Sequence, residues 1–210
     1  MILSINFKKW LRFLKANNDS YTLLGEYGTQ RLQRLFIIAL FGAIIFVGNI
    51  FLPAPFNYLM MVVQAVLLAL SSLFIRKVGA MYVGAVGGLL TALLWSSFGA
   101  FTFFFAFLFG VFVDFFFFIF QVKGSREGVN RNRVIAAMAA ATFLIGVSSY
   151  SVFAVFPDYI SLQGLSYFSL FIQPSPMFTA LVMFMGPAVG ATAGYAAAYL
   201  WNKYLRHICV

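Results

Sequence analysis

Residues 99–133 read GAFTFFFAFLFGVFVDFFFFIFQVKGSREGVNRNR. Up to Gln121 the stretch is almost wholly apolar, interrupted by Thr102 and the acid Asp114. From Lys123 to Arg133 it turns polar and carries the cations Lys123, Arg126, Arg131 and Arg133. A helix of this length crosses a hydrocarbon core of roughly 30 Å. An apolar run that stops at a short basic loop is the pattern of a span ending on the cytoplasmic side, where Lys and Arg are retained.

The rest of the chain repeats that pattern. All 14 Lys and Arg residues fall in four places: Lys8 to Arg34, Arg76-Lys77, Lys123 to Arg133, and Lys203 to Arg206. Between them lie six apolar stretches. Of the three connections that then face outward, Pro53-Ala54-Pro55 and Pro157 to Pro176 hold no Lys or Arg, and neither does the tight Trp95 to Gly99. The expected fold is an all-α integral membrane protein with six transmembrane helices and both termini cytoplasmic, in the plasma membrane. The six helices are expected near residues 35–52, 57–75, 78–95, 99–121, 133–156 and 177–201. The transmembrane domain covers 35–206.

Residues 1–34 form a separate basic segment. In Phe7-Lys-Lys-Trp-Leu-Arg-Phe-Leu-Lys15, Phe7, Trp10, Leu11 and Leu14 share one helical face, and the cations fall largely on the other. That is an amphipathic helix lying in the membrane interface. No uninterrupted apolar stretch follows the first charges, so it does not read as a signal peptide.

Composition narrows the function classes. Hydrophobic residues make up 63% and charged residues 9%, against roughly 45–50% and about 25% in soluble proteins. The +9 net charge lies beside apolar spans, where orientation and anionic lipid headgroups account for it, so no nucleic acid is expected. One cysteine, Cys209, and one histidine, His207, lie in the C-terminal tail. No disulfide framework, metal site or cofactor is expected. There is no GxxxxGK[ST], no HExxH and no Ser–His arrangement, so neither nucleotide hydrolysis nor another enzyme activity is expected.

Three groups of residues could carry function. Asp114 is the single acid inside an expected span. It faces the bundle interior either as an ion or proton site or as a structural acceptor, and its cytoplasmic depth favours a structural or coupling role. Small residues gather in Ala39-Leu-Phe-Gly42-Ala43, from Gly79 to Gly88, and from Gly186 to Ala198. Such spacing lets helices approach closely. In the outer half lie Asn49, Asn57, Gln64, Trp95, Ser96, Ser148, Ser149, Tyr150 and Ser151. Together with Tyr167 of the outer segment, Asn49, Asn57, Gln64, Trp95, Ser96, Ser149 and Tyr150 are the candidate substrate-binding residues. Their rings would stack on a small planar solute and their amides would orient it. The segment from Pro157 to Pro176 is too apolar for a solvated linker and too polar for a span; it reads as a lid or as a segment resting on the outer leaflet.

With six helices, both ends cytoplasmic and Ala39-Leu-Phe-Gly-Ala43 in the first helix, the chain resembles the substrate-binding S component of energy-coupling factor (ECF) vitamin transporters. It is most similar to the hydroxymethylpyrimidine/thiamine type. Ile75-Arg-Lys-Val-Gly-Ala80, the small-residue span from Tyr82 to Trp95, and Gly186-Pro-Ala-Val-Gly-Ala191 carry the likeness. The resemblance implies that Ala39 and Ala43 contact a transmembrane coupling subunit. It also implies that a vitamin-like solute binds near the outer face under the helix 1–2 and 5–6 loops, and that cytoplasmic ATPases supply the energy. The acid that would hold a cationic thiamine ring near the third helix is absent, leaving Asp114 and Asp158. An ion-coupled secondary carrier using Asp114 and a non-transport membrane scaffold are the competing readings.

Overall fold

The computed structural model describes residues 32–49, 57–75, 78–94, 99–125, 127–155 and 176–205. All regular structure among them is helical. The helices are α1 (Leu32–Asn49), α2 (Asn57–Phe74), α3 (Gly79–Leu94), α4 (Gly99–Ile119), α5 (Arg131–Val155) and α6 (Pro176–Leu200), the last running into a π turn, Trp201–Leu205. The bounds agree with the apolar runs to within a few residues. The chain divides into two compact units, Met1–Ile37 and Ile38–Val210. The packing between helices lies within the second.

Glycines set how α3 meets α4 and how α5 meets α6. A Cβ on Gly110 would lie 2.8 Å from Met81 Cα and against the Ala80 carbonyl. At the second crossing, a Cβ on Gly190 would lie 2.8 Å from Ala139 Cα and against the Met138 carbonyl and the Thr142 hydroxyl. Gly186 faces Thr142 and Phe143, and Gly194 faces Val134 and Ile135, so α5 and α6 run antiparallel along a four-residue glycine register. Backbones brought this close gain van der Waals contact, the main attraction left between helices when the surroundings are apolar. α1 packs on α3 in the same way, with Gly42 against Val86 and Gly87 against Ile45.

The core is built from Ile45, Leu68, Val83, Val113, Val134, Met138 and Trp201, each at most 1% exposed. Trp201 meets the Phe74 ring edge-on at 5.0 Å between centroids. The exterior is also apolar: Phe118 is 82% exposed, Phe184 78% and Leu93 71%. The Phe-rich α4 divides accordingly, with Phe104, Phe115 and Phe118 outward and Phe117 buried.

Among the described residues three helical stretches are long and apolar enough to cross a membrane: Leu32–Asn49, Phe101–Ile119 and Arg131–Val152. Met60–Phe74 and Gly79–Leu94 are apolar but shorter. α3, Gly79–Leu94, is 16 residues long, about 24 Å at 1.5 Å per residue, and Val78 belongs to the turn that precedes it. The amphipathic segment 1–31, the Pro53–Pro55 turn and residues 156–175 of the outer segment lie outside the described residues.

Candidate functional site

The helix directions give the bundle two ends of different chemistry. At one end α1, α3 and α5 finish and α2, α4 and α6 begin. At the other lie the α2–α3 turn, the α4–α5 loop and the π turn.

At the first end, Asn49 and Tyr150 are partly buried, as is Ser149. Gln64 sits about two turns into α2 and is also partly buried. Asn57 begins α2, and only its backbone is described. Trp95, Ser96 and Tyr167 lie outside the described residues. Two serines of the run Ser148 to Ser151 bond within their own helix. Ser149 Oγ donates to the Gly146 carbonyl at 3.0 Å, and Ser151 Oγ donates to the Val147 carbonyl at 2.8 Å. Among the described residues no buried side-chain nitrogen or oxygen lacks a partner.

Asp114 reaches the opposite end from the middle of the chain. It projects from α4 onto the start of α3, where Met81 N–H donates to Oδ2 at 2.9 Å and Ala80 N–H donates to Oδ1 at 3.3 Å. The Ser72 hydroxyl of α2 is a third partner. The first N–H groups of a helix have no acceptor within it, and a carboxylate suits the positive end of the helix dipole. Asp114 therefore supplies from another helix the cap that Val78 and Gly79 cannot, and ties α2, α3 and α4 together. Asp114 is 9% exposed.

Asn202 is the residue that sequence reasoning passed over. From the π turn its Oδ1 accepts from Val129 N–H at 2.7 Å, while its Nδ2 donates to the Val129 carbonyl at 3.0 Å. One side-chain amide thus replaces a strand partner for a loop residue 73 positions away. Trp201 Nε1 donates to the Ser125 carbonyl at 3.4 Å, and Gly124 leaves room for its ring. Within the loop, Gly128 at φ 111° and the Ser125 Oγ donation to the Gly128 carbonyl at 2.7 Å hold the turn. The only sequence signal is an amide next to a tryptophan, which names no partner.

The cations at this end differ in their partners. Arg131 stacks over Tyr195 at 4.9 Å. Lys203 Nζ donates to Tyr199 Oη at 2.8 Å, and the Tyr199 and Tyr204 hydroxyls hold its ammonium above the ordinary lysine range. Among the described residues no group of His, Cys, Asp and Glu could hold a metal ion.

On α1, Gly42 and Ile45 turn inward, whereas Ala39, Leu40, Ala43, Ile44 and Val47 face outward as one apolar strip. No protein-family model matches this chain, and no curated protein or solved structure is significantly similar to it.

Proposed function

We propose that this chain is a multi-pass membrane protein with six spans and both ends cytoplasmic. In this reading it serves as the substrate-binding subunit of an ECF-type importer, capturing a small heterocyclic solute at its outer face. The observation that carries the reading is the division of labour on α1. The helix packs inward through Gly42 and Ile45, so the Ala39/Ala43 pair is left on an outward apolar face. A close-approach surface left open in this way suits a transmembrane partner, and it is where the resemblance puts the coupling subunit.

Two further features support it. Every Lys and Arg lies in segments that the six-span arrangement places on one side. The same arrangement assigns the candidate solute-binding residues Asn49, Asn57, Gln64, Trp95, Ser96, Ser149, Tyr150 and Tyr167 to the other by their place in the sequence. A carrier driven through Asp114 has less support, because that carboxylate is engaged by two backbone N–H groups.

Solute binding to the full chain in lipid nanodiscs tests the reading, using a panel of pyrimidine- and thiazole-type heterocycles. Trp95→Ala and Tyr150→Ala should each weaken binding of the captured compound by about tenfold, the scale of one lost ring-stacking contact. Unchanged affinity in both variants would remove the proposed pocket.

A further inference from the structure

A shallow recess of about 160 Å³ opens where α4 hands over to α5, lined by Gln121, Val122, Lys123, Val129, Asn130 and Arg133. Its lining has two cations, two amides and no acid. Lys123 and Arg133 have no aromatic or acidic partner among the described residues, whereas Arg131 and Lys203 are engaged by tyrosines.

The way the recess is built is unusual for a loop. α4 ends with Val122 N–H donating to the Phe117 carbonyl at 2.9 Å and Gln121 N–H donating to the Phe118 carbonyl at 3.1 Å. This paired closure puts Gln121 at φ 51°, a left-handed position usually given to glycine. A residue with a Cβ is disfavoured there, and here such a residue contributes an amide to the lining. The facing wall is fixed too, since Val129 is clamped by Asn202 through both its N–H and its carbonyl. The recess also lies at the N-terminal, positive end of α5.

Its place in the chain selects the ligand. It sits between the end of the apolar stretch Phe101–Ile119 and the start of Arg131–Val152, the level at which phosphate groups of a bilayer lie. We propose that the recess binds phosphate, presented as the headgroup of an anionic phospholipid, with Arg133 and Lys123 meeting the phosphate oxygens and Gln121 and Asn130 completing the rim. Arginine's planar fork suits two phosphate oxygens at once. The proposal rests on the membrane-protein reading only in that α4 and α5 span the bilayer. It does not depend on what the protein carries.

Native mass spectrometry of the full chain released from micelles tests it, with phosphatidylglycerol or phosphatidylcholine added. Wild type should retain phosphatidylglycerol in preference to phosphatidylcholine. K123Q/R133Q should reduce that retention by roughly tenfold or more, at about a kilocalorie-scale contribution per cation. R131Q/K203Q, which removes the same charge from the same end, should stay within about twofold of wild type. All four positions are exposed, and a circular-dichroism spectrum like that of wild type confirms that each variant is folded. Equal losses in the two double variants, or no lipid preference in wild type, would overturn the proposal. Displacement of the lipid by millimolar inorganic phosphate would overturn it as well, assigning the recess to a soluble phosphate ester. A failed solute-binding assay beside intact lipid discrimination would count against the importer reading alone.

Discussion

Replacing Asp114 separates a structural acid from an ion-coupling one. Asp114→Ala deprives the buried Ala80 N–H, at 3.3 Å, and the partly buried Met81 N–H, at 2.9 Å, of their acceptor. Hydrogen bonds to a charged group contribute about 1.5–3 kcal/mol each. Taking the shorter bond near the middle of that range and the longer near its bottom gives about 3–4 kcal/mol. That exceeds the roughly 1 kcal/mol of an exposed helix cap, because the Ala80 N–H is buried and two donors lose one acceptor together. Asp114→Asn keeps one carbonyl oxygen but points an amide N–H₂ at a donor, so about half the loss is expected. With total stability of about 5–15 kcal/mol, the alanine variant should be visibly weakened. The assay is reversible unfolding in mixed micelles followed by tryptophan fluorescence, since Trp201 is buried against Phe74. The order wild type, Asn variant, Ala variant in falling stability supports the cap. Full stability in both variants, with solute uptake lost in the Asn variant, would refute the reasoning and restore Asp114 as a coupling site.

Other expectations come from the helix contacts. Gly190→Leu drives a side chain into the Met138 and Ala139 backbone and should cost about 1–3 kcal/mol or more, whereas Ala188→Leu on the exposed side of α6 should change stability by less than about 0.5 kcal/mol; thermal aggregation followed by size-exclusion chromatography distinguishes them. Asn202→Ala frees both polar groups of Val129, and amide hydrogen exchange there should speed up by about tenfold or more, equivalent to roughly 1.4 kcal/mol. Ala39→Leu with Ala43→Leu should leave the stability of the isolated chain within about 0.5 kcal/mol, because both face outward, yet should abolish co-purification of a coupling subunit.

The helices were legible because most apolar runs are bounded by basic or proline-containing segments, the third and fourth being parted instead by Ser96, Ser97 and Gly99, and that signal is local. Gly186, Gly190 and Gly194 announce a close approach, but only the structure shows that α5 is the partner. Asp114 was legible as an acid needing company. That its company is the start of α3, 33 and 34 residues away, depends on how α3 and α4 cross, and nothing near Phe112 or Phe116 encodes it. Asn202 and Val129 are 73 residues apart, and an asparagine in a polar tail gives no sign of a backbone clamp. Gln121 was missed for a different reason: a helix end of this shape is normally flagged by glycine, and here glutamine occupies it. In the run Ser148 to Ser151, Ser149 reads as a candidate solute contact, whereas its hydroxyl and that of Ser151 bond to their own helix. Serine readily bonds back to its helix backbone in this way, so polarity alone overstated that part of the pocket.

The importer reading is tested most directly by native mass spectrometry of the full chain, purified gently from its host membrane without added lipid or solute. The account predicts a retained small heterocyclic compound, together with a co-purifying transmembrane subunit and ATPases that disappear in the A39L/A43L variant. An empty protein with no partner, from a membrane in which it is folded and abundant, would contradict it.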